Sequence, residues 1–198
     1  GSSAQERQLG QLYVLSHLKQ QEEDLAYLAS LLTSLAKREF YTLPAASPER
    51  GRASASYGAS GAPDSKAAFE RTLQKLNEVL AEFFHQKKFE LNLGLAAIAG
   101  DQLYLSRLGK FKVALARKGD YIDILNNVEL FNKAAGDQTK FSNVISGRLL
   151  PDDKLFAYFP LRPITSREKM LNPIFLNQGQ AQFSEKLATL AKNAESFA

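Results

Sequence analysis

Residues Leu91-Asn92-Leu93-Gly94-Leu95-Ala96-Ala97-Ile98-Ala99 are followed by a Gly100-Asp101 pair and then by Leu103-Tyr104-Leu105-Ser106-Arg107-Leu108. Gly109 interrupts, Phe111-Lys112-Val113-Ala114-Leu115-Ala116-Arg117 resumes the pattern, and a second pair, Gly119-Asp120, leads into Tyr121-Ile122-Asp123-Ile124. The first segment is almost wholly apolar, which predicts a strand covered on both faces. Short apolar runs separated by Gly-Asp turns predict an antiparallel meander, since Gly and Asp accept the backbone of tight hairpins.

Helices flank this β-rich centre. Upstream, Leu12-Tyr13-Val14-Leu15 predicts a strand. Leu25, Leu28, Leu32 and Leu35 then recur at three- and four-residue steps behind Glu22-Glu23-Asp24. Acid ahead of an apolar stripe complements the N-terminal dipole and predicts an amphipathic helix ending near Phe40. Between Pro44 and Ser65, seventeen of twenty-two residues are Ala, Ser, Gly or Pro. Such a stretch buries too little to offset its ordering entropy and is expected to be a flexible loop, its Glu49-Arg50-Gly51-Arg52 included. Ser65 is the expected N-cap of a second helix with Phe69, Leu73, Leu76, Val79, Leu80 and Phe83 on one face.

Downstream, Asn126–Lys140 is expected to be irregular, and Phe141–Leu150 carries no deciding pattern. Leu155–Phe159 predicts a strand stopped by Pro160. Thr165-Ser166-Arg167-Glu168 fits a capping box before a short helix ending near Leu171, and a last helix aligns Phe183, Leu187 and Leu190. The sum is an α+β chain. Residues 1–8 are read as a tag remnant and leader, and residues 9–198 as a single domain with a flexible loop at 44–65.

Composition removes several chemistries. The 198 residues are 44% apolar and 23% charged, with thirteen Phe and seven Tyr, a globular balance. Zero cysteines exclude a disulfide scaffold, a thiolate metal site and a cysteine nucleophile. No apolar run reaches the roughly 20 residues that span a bilayer, and the expected location is the cytoplasm. The net charge of +4 comes from 25 basic and 21 acidic residues that are largely interleaved, a pattern of solvated surface rather than of a nucleic-acid footprint.

Motifs are equally sparing. The two histidines, His17 and His85, are far apart in sequence and lack partners at ligand spacing. Neither a P-loop, nor GxGxxG, nor GxSxG occurs. Asp152-Asp153 after Pro151 reads as a turn rather than an acid/base pair. By strand alternation Lys110, Lys112 and Lys118 share a face opposite Phe111, Val113 and Leu115, which makes them candidate anion-binding residues. Lysines that guard an edge strand against aggregation give the same pattern.

The stretch from Leu103 to Leu115 resembles the strand–turn–strand of the PPM/PP2C family of protein phosphatases, in which Gly-Asp-Ser-Arg separates two apolar strands. Leu149-Leu150-Pro151-Asp152-Asp153-Lys154-Leu155-Phe156-Ala157-Tyr158 resembles the family's strand that begins with Asp and leads to Ser-Asp-Gly. The helix pair with an intervening variable loop also falls where the family places it. The resemblance implies a PP2C-like sandwich of antiparallel β-sheet flanked by helices, lacking outer strands. It also implies chemistry by Mg²⁺ or Mn²⁺ held on carboxylates, which activates water against a phosphomonoester. The motif residues depart from that. Lys110 stands where Gly-Asp-Ser-Arg has Asp, Pro160 where Ser-Asp-Gly has Asp, and Ser16-His17 where the first Asp-Gly is expected. The closing Asp-Asn has no counterpart before Ala198. The resulting expectation is a pseudophosphatase-like regulatory module with no catalytic residues, no metal and no cofactor, whose partner is another protein. Two alternatives stand beside it: a metal-dependent phosphohydrolase using Asp120, Asp123, Asp152 or Asp153, and an anion- or nucleic-acid-binding module using Lys110, Lys112 and Lys118.

Overall fold

The computed structural model describes residues 3–18, 23–42, 64–86, 90–125, 140–141 and 143–192. The loop expected at 44–65 lies outside the described residues apart from Asp64 and Ser65, and the irregular stretch 126–140 apart from Lys140. In chain order the elements are α1 (Ser3–Leu9), β1 (Gln11–Leu18), α2 (Glu23–Tyr41), α3 (Ser65–Gln86), β2 (Leu91–Ala99), β3 (Gln102–Leu108), β4 (Lys112–Arg117), β5 (Asp120–Asp123), β6 (Ile145–Arg148), β7 (Lys154–Tyr158), α4 (Arg162–Thr165), α5 (Glu168–Asn177) and α6 (Gln180–Lys192). They form two compact units, residues 1–109 with 137–149 and residues 110–136 with 150–198.

The first unit holds a four-stranded antiparallel sheet in the order β1-β2-β3-β6. Val14 faces Leu95, Ala97 faces Tyr104, and Leu103 faces Gly147. The leucine stripe of α2 and the apolar face of α3 supply Leu28, Leu32, Phe40, Phe69, Leu76 and Leu80 to a core shared with Leu93, Leu95 and Leu108. Each such side chain contributes about 1.5–3 kcal/mol by leaving water. Helix α3 starts one residue later than its cap. The Oδ1 of Asp64, not the hydroxyl of Ser65, accepts from the backbone N–H groups of Lys66 (2.9 Å) and Ala67 (3.2 Å). Ser65 is already helical, so the orphan donors of the first turn point back to the residue before it. Gly10, at φ +85°, turns the chain from α1 into β1, and a Cβ there would run into the carbonyl oxygen of Ile98.

The second unit holds a three-stranded antiparallel sheet in the order β5-β4-β7. Its core gathers Ala114 and Ala116 of β4, Tyr158 of β7, and Ile164, Leu171, Phe175 and Phe183 of the three C-terminal helices. The ring of Phe156 stands edge-on to Phe183 at 4.9 Å between centroids. Helix α5 continues through Pro173 to Asn177 instead of stopping near Leu171. A proline removes one N–H, and the packing of Leu171 and Phe175 outweighs that loss. Lys154 closes the helix from outside, its Nζ donating to the carbonyls of Phe175 (3.1 Å), Leu176 (2.9 Å) and Gln178 (2.9 Å). The expected capping box is not formed. The hydroxyl of Thr165 donates backward to the carbonyl of Leu161 (3.2 Å), and α5 starts without a side-chain cap.

The single meander expected from the Gly-Asp turns is two hairpins in two sheets. β2 and β3 pair in one and β4 and β5 in the other, and the chain passes between them at Gly109, with φ +67°. Apolar periodicity is the same whether consecutive strands pair or part, so the change of sheet leaves no mark in it.

Candidate functional site

At the end of the first sheet, β1 and β2 place His17 opposite Asn92. The Nδ2 of Asn92 lies 3.2 Å from Nδ1 of His17. Gly109 packs against the same asparagine, and a Cβ at Gly109 would crowd Oδ1 of Asn92 and the carbonyl of Leu91. Three elements therefore bring His17, Asn92 and Gly109 together. Their side chains offer an imidazole and an amide, and Ser16 beside them is exposed.

In the second unit, Lys110 precedes Phe111, whose ring lies 5.6 Å from that of Phe159, and Pro160 follows Phe159. The register that sets Lys112 opposite Tyr158 assembles a polar cluster. The Nζ of Lys112 lies 3.6 Å from Oδ2 of Asp123 and 3.6 Å from Oε1 of Glu168. The same Oε1 accepts a hydrogen bond from the hydroxyl of Tyr158 at 3.1 Å. Burial first, then the hydrogen bond with Tyr121 and the carboxylate of Glu168, hold the Tyr158 phenol well above its ordinary range. It is a fixed neutral donor. Sequence reading missed Glu168 as more than a capping residue, and missed Tyr121 and Tyr158 altogether. The alternation that faced Lys112 away from Val113 was the available signal.

The three candidate lysines do not converge on one point along β4. Lys112 begins the strand between two carboxylates, whereas Lys118 sits past its far end in the β4–β5 turn at φ 51°. The four candidate aspartates are likewise dispersed in role. Asp123 meets Lys112, Asp120 lies at the hairpin turn opposite Arg117, and Asp152 occupies a turn at φ 69°. Asp153 is held by Arg117, with Nε at 3.0 Å from Oδ1 and Nη2 at 2.6 Å from Oδ2, and it accepts the N–H of Leu150 at 2.7 Å. The Arg117 hydrogen bond keeps its carboxyl below the usual carboxylate range despite burial. Among the described residues, no group of three or more His, Asp or Glu side chains is placed to hold a metal ion.

A separate open groove of about 490 Å³ lies between α3 and the residues Phe141, Asn143 and Val144, its lining including Leu73, Asn77, Glu70 and Glu78. Asn77 fixes it. Its Nδ2 donates to the carbonyl of Phe141 (2.9 Å), and its Oδ1 accepts the N–H of the same residue (2.8 Å).

No protein-family model and no curated protein matches the sequence. Solved structures do. The chain is similar to PppA, described as a key regulatory component of T6SS in Pseudomonas aeruginosa, at 16% identity and a TM-score of 0.61, covering 92% of this chain and 80% of that one. It is similar to the catalytic domain of the serine/threonine phosphatase PstP in complex with two manganese ions, at 13% identity and TM-score 0.59, over 92% and 81%. It is also similar to the PPM Ser-Thr phosphatase MsPP from Mycobacterium smegmatis, at 11% identity and TM-score 0.57, over 93% and 82%. With antiparallel sheets and flanking helices matched over 92% of its length, the chain is a PP2C-like domain in fold.

Proposed function

We propose that this PP2C-like domain is non-catalytic and acts as a regulatory module that binds another protein. The observation that carries the reading is the residue chemistry where the family resemblance expects acidic ligands: Lys110, Pro160 and Ser16-His17. Mg²⁺ and Mn²⁺ need several hard oxygen donors, largely carboxylates, and two such ions in one site need more. An ammonium at Lys110 repels a cation, and Pro160 has no donor in its side chain. The imidazole of His17 and the amide of Asn92 supply no negative charge. In neither unit do these residues supply the carboxylate donors of a hard-cation centre. Two carboxylates of the second unit, Asp123 and Glu168, already face the Lys112 ammonium, which also removes that lysine from a ready anion stripe. A regulatory role is supported by the likeness in fold to PppA. Hydrolysis of p-nitrophenyl phosphate with added MnCl2 is the test. The expected rate equals the protein-free blank with or without EDTA, and turnover that Mn²⁺ raises and chelator abolishes overturns the reading.

A further inference from the structure

The four outer strand edges of the two sheets are unequally defended. β6 has only four residues, Gly147 and Arg148 among them, and β5 has four with an aspartate at each end. β7 begins with Lys154, whose ammonium is tied to the end of α5. Short length, charge and inward or capping lysines are the devices that discourage edge-to-edge pairing. β1 has none of them. Gln11–Leu18 is eight residues long, contains no Lys, Arg, Asp, Glu, Pro or Gly, and pairs with β2 residue for residue without a bulge. Among the described residues no strand pairs with its other side.

The direction of its backbone groups follows from one hydrogen bond. The N–H of Leu12 donates to the hydroxyl of Tyr41 at 3.1 Å, so Leu12 points away from β2. In an antiparallel ladder alternate residues turn both N–H and C=O the same way. Val14, Ser16 and Leu18 therefore present theirs to the outer edge, while Tyr41 already occupies the donor of Leu12. We propose that this edge joins β1 of a second copy of the chain in an antiparallel, two-fold pairing. A strand without charge meets its own copy without repulsion, whereas β5 paired with its own copy would set aspartate against aspartate. The register that uses all three outward residues and leaves Leu12 aside sets Ser16 against Ser16 and Val14 against Leu18. That arrangement is self-complementary, as a two-fold interface requires.

Sedimentation velocity across a concentration series tests it, with hydrogen exchange of the same samples. The wild-type chain is expected to shift from monomer to dimer, with exchange at Val14, Ser16 and Leu18 slowing as dimer forms. Val14→Pro removes an outward N–H and some packing of Val14 on the core while leaving the β1–β2 hydrogen bonds in place, and Ser16→Lys, at an exposed position, places two ammonium groups at the axis. Each is expected to weaken the dimer by more than about tenfold with unchanged far-UV circular dichroism. A wild-type chain that stays monomeric overturns the proposal, and so does a dimer that both folded variants leave intact. Concentration-independent protection of those three amides also overturns it, because another segment of the chain would then cover the edge.

Discussion

Asp153 shows how a carboxylate that invites a catalytic reading can be fully occupied by architecture. It sits beside Asp152 after Pro151, in a pattern that reads first as a turn. The side chain is only 4% exposed, and two guanidinium nitrogens and a backbone N–H consume its oxygens. Its stabilising effect carries a definite sign with pH. The folded-state carboxyl titrates below its unfolded counterpart, so the contribution is present above the ordinary carboxylate range and is lost as pH falls through the lowered value. Asp153→Asn is expected to lose about 2 kcal/mol at neutral pH, the size of a hydrogen bond to a charged partner. Urea denaturation should show that the difference between variant and wild type shrinks below about pH 4. A constant gap down to pH 2 would contradict this account. At Lys110 and Pro160 the sequence discloses side-chain chemistry directly, because an ammonium repels a cation and a proline side chain carries no donor atom wherever the two residues lie. The cluster of Lys112 with Asp123, Glu168 and Tyr158 was not legible there, because it joins β4, β5, β7 and α5 across more than fifty residues of sequence.

Among the elements, the strands with buried faces were the readable ones. β2 spans the same residues in sequence and structure, since a nearly unbroken apolar run has few ways to be buried. β6 gave no pattern because three of its four residues are exposed and it pairs only along one edge of β3. Helix termini were less legible than helix interiors. The stripe of α3 was plain, but its cap is Asp64 and not the expected Ser65, because Asp and Ser cap equally well and the apolar pattern does not mark which residue leaves the helical backbone first. Asp64→Ala is therefore expected to destabilise the chain by about 1 kcal/mol, with Ser65→Ala close to neutral. Paired thermal melts of the two variants check the assignment, and the reverse order would return the cap to Ser65.

For the whole molecule, a held ion would appear as added stability. Binding to the folded state alone contributes about 2.7 kcal/mol when the ligand stands at a hundredfold excess over its dissociation constant, enough to move a melting midpoint by several degrees. The melting midpoint in MnCl2 is expected to coincide with that in EDTA, and a rise of several degrees would restore a metal-binding reading. What the sequence could not disclose at this scale is the order in which the chain visits its two units. The first unit includes residues 137–149, and the second has already begun at Lys110. β3 finds its neighbour β6 only after β4 and β5 have been made, some forty residues later, and β7 reaches β4 later still. Neither half of the polypeptide thus encodes a self-sufficient body: cutting after Gly109 strips the first sheet of its last strand, and cutting after Leu149 leaves the second without β7. During synthesis from the N-terminus, both sheets must wait half-built until the ribosome has released most of the chain.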